Sequence, residues 1–565
     1  MGGTISTSGF RFWRLLFVLI MLGVLSMGVL GRMLYLQLIE QDFLQDQGDM
    51  RSVRTVSLTA LRGIITDRLG EPLAVSTPVD SIWANPHVVE QATSQQIAQL
   101  AAVLDIPVKE LATKLAQAKG KEFLYLKRQL SPQEAEQVLA LAVPGINAQR
   151  EYRRYYPMGE AAAHIVGLVN VDGHGVEGLE LAFDHHLRGH DGKMEVLKDR
   201  RGQIVQDLAL LKTTEQGKPL ALSIDNRLQY IAHRELKAAV KETQAVGGSV
   251  VIVDVKTGEI LAMVNQPSYN PNNREKFIPD HMRNRAVTDV FEPGSTAKPF
   301  AVLTTLRSGK ENPDNMIETS PGYMNVSGRV VRDIHNYGRI SLTDVLRKSS
   351  NVGIAKIILP EPQEKLLDIY KSLGFGQSTY LEFPGERSGY LEASRKMDPF
   401  MYATLAFGYG VSTTAVQLAK SYAILANDGK YVPFTLLKRD DIPKPEQVMA
   451  ADEIKTLRDM LIIYPKDGGS GDTARVKGYL VGGKTGTVRK LGPNGYLADH
   501  HLATFVGFAP ATTPRLVCVV VIDDPAAGQY YGGAVSAPVF GKIMSDALRL
   551  RDIPLDDENA YIKGS

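Results

Sequence analysis

The sequence predicts an α+β protein: an antiparallel sheet covered by helices, preceded by a mixed α/β part and an N-terminal transmembrane helix. Three observations carry this reading. β-Branched and apolar runs stand at both ends of the second half, at 248–255 and 516–523, with helical patterns between them. An antiparallel sheet with helices packed on it satisfies that order. The N-terminus holds one long apolar stretch without charge, and the region of about 45–215 mixes short strands with amphipathic helices.

Composition sets the limits. At 565 residues the chain has room for more than one domain, and 44% hydrophobic with 22% charged residues is too apolar for disorder. Lys+Arg 64 against Asp+Glu 62 leaves +2, which offers no electrostatic footprint for nucleic acid. Cys518 is the one cysteine, so no intramolecular disulfide forms; its setting, Leu516-Val517-Cys518-Val519-Val520, reads as a buried strand thiol.

Residues 15–31 carry no charge and are rich in Leu, Val, Met and Ile. That length meets the minimum of about 17 residues for a membrane-spanning helix. Apolar character resumes after Arg32 as Met33-Leu34-Tyr35-Leu36, without a small-residue cleavage site, which favours an uncleaved signal anchor over a signal peptide. Arg11 and Arg14 hold the short tail in the cytoplasm by the positive-inside bias. The expected organisation is a tail and anchor at 1–38, a first part at 45–215, a polar linker from Thr213 to Pro219, a second part at 218–552 and a tail at 553–565, all but the first outside the cytoplasm.

In the first part, Ser131-Pro132-Gln133-Glu134 is a helix start with a capping box. Ile97, Leu100, Ala101 and Leu104 recur at helical spacing. Asp67 to Gly70 reads as a turn between short strands. With Arg153-Arg154 and Gly175-Val176-Glu177-Gly178-Leu179-Glu180 it suggests a salt-bridged, turn-rich scaffold. In the second part, residues 225–239 read as a helix, 248–255 and 259–264 as a hairpin about Lys256-Thr257-Gly258, 502–509 and 516–523 as two further strands, and 536–550 as a closing helix.

The chemistry lies in three ordered motifs: Ser295-Thr296-Ala297-Lys298, Ser349-Ser350-Asn351 and Lys484-Thr485-Gly486-Thr487. Pro293-Gly294 breaks the chain, so a helix begins near Ser295 and turns its positive end toward an oxyanion. Lys298, one turn on, can reach the Ser295 hydroxyl as general base if burial or a like charge keeps it neutral; Lys484 can supply that charge. Ser349 can relay a proton to the leaving amine, and Asn351 can hold a substrate amide or order Lys298. The last motif reads as an edge strand whose Gly486 admits a substrate backbone, whose Thr485 and Thr487 hydroxyls meet a carboxylate, and whose Thr487 N–H, with that of Ser295, completes an oxyanion hole. Gly408-Tyr409-Gly410 and Tyr530-Tyr531 could line a cleft with aromatics, or pack as core and turn. His185-His186 and His500-His501 have no metal-ligand spacing, and Asp523-Asp524, at a strand end, reads as a solvated turn rather than a paired-carboxylate site.

With these motifs the chain resembles the class B penicillin-binding proteins, and among them the septal, FtsI-type peptidoglycan D,D-transpeptidases. The resemblance extends to Arg62–Ala74 and Gly175–Glu180, which look like the family's non-catalytic pedestal (dimerisation-type) domain, and to Phe383-Pro384-Gly385-Glu386-Arg387 and Val506-Gly507-Phe508-Ala509-Pro510, which look septal. It implies the penicillin-binding transpeptidase fold, on an elongated pedestal. It also implies attack by Ser295 on the D-Ala–D-Ala amide of a peptidoglycan stem peptide, crosslinking to a neighbouring strand, and acylation of the same serine by β-lactams. Tyr409, Tyr530 and Tyr531 would form the aromatic cleft wall. Expected partners are a SEDS-type glycosyltransferase and other divisome membrane proteins, with no metal or organic cofactor. Septal members often read K-S-G-T; Thr485 keeps the hydroxyl but stiffens χ1. The other classes are a β-lactamase or penicillin sensor, which would need a water-activating base that no Glu-x-x-Leu-Asn type loop supplies here, and a catalytically silent structural divisome protein.

Overall fold

The computed structural model describes residues 8–41, 53–198, 204–273, 277–392, 396–464 and 469–557. The first seven residues of the expected cytoplasmic tail, the start of the 45–215 part and residues 558–565 of the C-terminal tail lie outside the described residues. The chain forms two compact units, one of residues 1–60, 78–151 and 189–216, the other of 61–77, 152–188 and 217–565.

In the first unit, helix Ser8–Leu38 extends the expected apolar span in both directions. Its 31 residues measure about 46 Å, more than the ~30 Å hydrocarbon core of a bilayer. Residues 12–38 are apolar enough to cross a membrane, and none of the span is buried. Strands Val53–Leu58, Gly192–Lys198 and Ile204–Lys212 form an antiparallel sheet in that order. A separate core gathers Ile82, Leu100, Leu104, Leu111, Leu126 and Val138. Helix Ser94–Val103 contributes Leu100 and Ala101 to it, as their spacing predicts. Helix Pro132–Ala140 starts with the expected capping box, Ser131 and Glu134 exchanging hydrogen bonds.

The second unit is built on a six-stranded antiparallel sheet. Its order is Ile260–Gln266, Gly247–Asp254, Leu516–Asp523, Gly495–Ala509, Val481–Gly492 and Ile462–Ile463. Val250 and Ile252 join one core with helices Asn226–Glu242 and Gly532–Leu550; Val251 and Val253 join another on the opposite face, with helices Lys298–Arg307 and Ala415–Ala426. Both faces are covered, so the central strands are continuous apolar runs rather than alternating ones. Cys518 is fully buried on the first face, and burial pushes its thiol up.

Segments 61–77 and 152–188 cluster with 217–565, whereas the sequence reading divides the chain once, near residue 215. Burial explains the difference. Ile65, Ile165, Val166 and Leu179 join the core that contains Val251. Beside them the Glu180 carboxylate, fully buried, accepts from Arg62 Nε and Arg154 Nε at 2.6 Å each. Arg62 also pairs with Asp184 at 2.7 Å, and Arg154 Nη2 donates to Gly63 O at 2.8 Å. This is the salt-bridged scaffold the Arg- and Glu-containing turns suggest. The stretch expected to be a linker is held at both ends: Glu215 exchanges backbone hydrogen bonds with His190, and the N–H of Gly217 donates to Leu61 O at 2.9 Å.

Candidate active site

Ser295 lies in a 3₁₀ turn, Gly294–Ala297, that leads into helix Lys298–Arg307. The sequence reading starts a helix at Ser295; the α-helix instead begins at Lys298, where Pro299 occupies the first turn and needs no N–H partner. The turn is bolted from below: Thr296 Oγ1 donates to Pro293 O at 2.7 Å, and the buried Tyr422 hydroxyl donates to Thr296 O at 2.8 Å. Ser295 is half-buried, and among the described residues its hydroxyl has no hydrogen-bond partner.

Two glycines bring the loops together. Gly294 has φ +53°, and a Cβ there would stand 2.2 Å from Val488 Cγ1. Gly408 has φ +87°, and its Cβ would stand 2.1 Å from Gly294 O. Only glycine tolerates both the conformation and the approach. Gly486 also lies close to the serine turn. A Cβ there would meet Thr296 Cγ2 at 2.9 Å and Pro293 O at 3.1 Å, so the residue admits the serine turn against the motif strand.

Lys298 is fully buried and donates through Nζ to Ser349 O and, at 3.0 Å, to Ser349 Oγ. It makes no hydrogen bond to Ser295 among the described residues; the lysine is joined to the second motif, while the serine hydroxyl stands free. Ser349 sits between helices Leu342–Arg347 and Asn351–Ile358 with φ +57°, the left-handed region that non-glycine residues rarely adopt and that concentrates at functional sites. Asn351 turns its amide outward to Arg332 O at 2.8 Å rather than toward Lys298. A cleft of about 510 Å³ opens beside it, with Arg332, Phe400, Tyr409 and Tyr496 in its wall.

Strand Val481–Gly492 pairs with Gly495–Ala509 on one side; on the other, among the described residues, only Ile462–Ile463 pairs with it, at residues 481 and 482. The segment carrying Lys484 to Thr487 therefore borders the serine turn. Lys484 is buried, and its Nζ donates only weakly, to Thr485 O at 3.3 Å. Thr485 Oγ1 is 2.7 Å from Ser470 Oγ, so this hydroxyl is already engaged. Thr487 Oγ1 accepts from the N–H of Gly532 at 2.9 Å and keeps its own proton to donate.

Burial pushes the Lys298 amine far down from its ordinary value; the Lys484 charge pushes in the same direction and Asp333 opposes it. Burial alone brings Lys484 down to about 7. Burial thus favours the neutral form of both amines.

The aromatics fall in two groups. Tyr409 meets Tyr496 edge-on at 5.7 Å. Tyr530 stacks on Tyr531 at 4.5 Å and on His501 at 4.0 Å. The second group lies at the start of helix Gly532–Leu550, whose Gly532 packs against Gly486 O and Thr504 O. His500 pairs with Asp524 at 2.7 Å and Asp523 with Lys490 at 2.6 Å, and among the described residues no three His, Cys, Asp or Glu side chains are placed to hold a metal ion.

Sequence reading missed three participants. Glu292 accepts from Gly410 N–H at 2.8 Å and from the Tyr496 hydroxyl, fastening the long hairpin to the loop beside the serine; burial raises its carboxyl. Ser470 partners Thr485. Asp333 accepts hydrogen bonds from the second motif. Only Glu292, inside the first motif's flank, had a signal in the sequence.

The family described as the penicillin binding protein transpeptidase domain matches residues 248–545, and the penicillin-binding protein dimerisation domain matches residues 57–222. The chain is 44% identical over 544 residues to peptidoglycan D,D-transpeptidase FtsI of Escherichia coli K12, covering 94% of this chain and 92% of that protein. It is 43% identical over 547 residues to the probable peptidoglycan D,D-transpeptidase PbpC of Pseudomonas aeruginosa, covering 97% of each. Among solved structures, penicillin binding protein 3 of Mycobacterium tuberculosis complexed with aztreonam is similar at a TM-score of 0.68 and 27% identity, over 89% of this chain and 98% of that one. The transpeptidase domain of Burkholderia pseudomallei penicillin-binding protein 3 is similar at a TM-score of 0.55 and 37% identity, over 60% of this chain and 98% of that one. With the transpeptidase family matching over half of its length and relatives matching nearly end to end, this chain belongs to the penicillin-binding protein transpeptidase family.

Proposed function

We propose that this protein is a membrane-anchored, septal-type peptidoglycan D,D-transpeptidase acting through a Ser295 acyl-enzyme, and that β-lactams acylate the same serine. The observation that carries the reading is the buried Lys298 amine, hydrogen-bonded to Ser349 and pressed by Lys484, beside a serine hydroxyl without a partner. In the reaction, Lys298 takes the Ser295 proton as Oγ attacks the carbonyl carbon of the penultimate D-alanine. The oxyanion is received by the backbone N–H groups of Ser295 and Thr487. Ser349 passes a proton to the departing amine, the C–N bond breaks and D-alanine leaves. An amine from a neighbouring stem peptide then attacks the ester, gives up its proton along the reverse path and restores the Ser295 hydroxyl. Lys484, Thr485 and Thr487 face the substrate carboxylate, Asn351 orders the stem amide, and Tyr409, Tyr530 and Tyr531 wall the cleft.

Helix Ser8–Leu38 is the anchor, with the catalytic unit on the periplasmic side, as Arg11 and Arg14 ahead of the apolar span support. Residues 45–215 serve as the pedestal and 218–552 as the transpeptidase domain. The anchor is the natural contact for a SEDS-type glycosyltransferase and other divisome membrane proteins.

The test is labelling of the full-length protein in detergent with a fluorescent penicillin, followed over hours, for the wild type and Ser295→Ala. A stable adduct on the wild type alone is expected. A transient adduct with the drug consumed would move the reading to a β-lactamase, and no adduct would leave a structural divisome protein.

A further inference from the structure

We propose that Asp333 is a positioning residue for acylation: its carboxylate clamps the Ser349-Ser350-Asn351 turn so that Ser349 engages Lys298. The proposal rests on Lys298 being the base.

Asp333 follows a hairpin formed by Tyr323–Val326 and Arg329–Arg332 and is half-buried. Its Oδ1 accepts from the backbone N–H groups of Asn351 and, at 3.0 Å, Val352; its Oδ2 accepts from the Ser350 hydroxyl. These donors belong to the first turn of helix Asn351–Ile358, where backbone N–H groups lack intrahelical partners and a carboxylate is favoured. Ser350 Oγ in turn accepts from Gly353 N–H at 2.8 Å, so one hydroxyl links the carboxylate to the helix cap. The neighbouring Arg332 carbonyl accepts the Asn351 amide at 2.8 Å. Four hydrogen bonds thus hold residues 350–352 from one short segment, three of them charge-assisted.

Residue 349 precedes this clamp with φ +57°. A serine stays in that conformation only where its surroundings over-determine it. The conformation directs both Ser349 O and Ser349 Oγ at Lys298 Nζ. The charged groups that bear on Lys298 among the described residues are Lys484, from the motif strand, and Asp333, from the hairpin exit. They act in opposite directions: Lys484 favours the neutral amine and Asp333 the protonated one.

The experiment measures the second-order rate constant for acylation of the full-length protein in detergent by a fluorescent penicillin, from about pH 5 to 9. Wild type, Asp333→Asn and Ser350→Ala are compared, each checked by its thermal midpoint. Asp333→Asn removes the charge and leaves a weaker acceptor. We expect a fall of about 10- to 100-fold, the cost of a misplaced catalytic group, and an acid limb moved to lower pH, because Lys298 without its anion holds a proton less well. Ser350→Ala removes one strand of the clamp and no charge; it should slow acylation with the limb in place, and it decides the clamp even if Asp333→Asn does not fold. An Asp333→Asn limb that stays or moves up overturns the electrostatic role, and a Ser350→Ala rate within about twofold of wild type overturns the clamp. A wild-type profile without an acid limb removes Lys298 as base and the proposal with it; a wild-type limb that Asp333→Asn does not move removes the electrostatic role alone.

Discussion

Glu180→Gln tests how much the buried ion cluster within segments 61–77 and 152–188 contributes to the stability of the larger unit. Glu180 is fully buried between two guanidiniums that are themselves almost fully buried, and its two oxygens accept from Arg62 Nε and Arg154 Nε at 2.6 Å each. Glutamine keeps the shape but offers one oxygen and one NH₂, so one arginine loses its acceptor and faces a donor. Breaking a buried ion pair from one side costs about 3–5 kcal/mol, because a charge is left uncompensated. The larger unit has about 400 residues, and unfolding entropy of about 2.1 cal/mol/K per residue gives roughly 0.8 kcal/mol/K. The expected fall in the unfolding midpoint is therefore about 4–6 °C. Differential scanning calorimetry of the full-length protein in detergent reads it, with penicillin labelling as a check that Ser295 is still reactive at room temperature. A fall of less than about 1 °C would refute the reasoning, since the cluster would then be no more than a solvated surface network.

Three further outcomes follow from the site. Lys484→Met removes the like charge beside Lys298, so Lys298 binds its proton more tightly and the acid limb of penicillin acylation moves to higher pH, opposite in sign to Asp333→Asn; an unmoved limb in the pH profile would mean the two amines do not interact. Thr485→Ser keeps the 2.7 Å hydrogen bond to Ser470 and should acylate within about threefold of wild type, whereas Thr485→Val leaves the Ser470 hydroxyl without it at a cost of about 1–3 kcal/mol, read as a slower acylation rate. Gly408→Ala places a Cβ about 2.1 Å from Gly294 O at a left-handed φ, so acylation should fall by about 100-fold or more; near-wild-type labelling would show that the serine turn can shift without loss.

The parts legible in the sequence are those whose signal is local. Ser295 and Lys298 stand three residues apart, which places them on one turn whether the backbone is α or 3₁₀. The order of the three motifs carries the rest of the identification. The strand runs 248–255 and 516–523 were readable because burial on both faces leaves no polar alternation to confuse them. What could not be read are partnerships that exist only after folding. Glu292 and Tyr496 meet across 204 residues of chain, and Glu180 reaches Arg62 across 118. Gly486 shows the same limit: a glycine in a cleft strand signals that a backbone comes close, but its spacing does not show that the serine turn does so.

Asp333 shows the same limit at the centre of the chemistry. It lies 18 residues before Asn351, just after a short hairpin and with no motif of its own. Nothing in its immediate sequence distinguishes it from a turn aspartate. Folding sets it at the first turn of helix Asn351–Ile358, where it meets donors that the second motif cannot satisfy internally. In the proposed reaction the serine-lysine pair supplies the atoms that react, and a carboxylate the motifs do not contain holds the turn in which Ser349 meets Lys298. Substitutions at the motifs should therefore remove acylation, whereas substitutions at Asp333 should displace its pH dependence, and comparing the two separates the reacting groups from the frame that poises them.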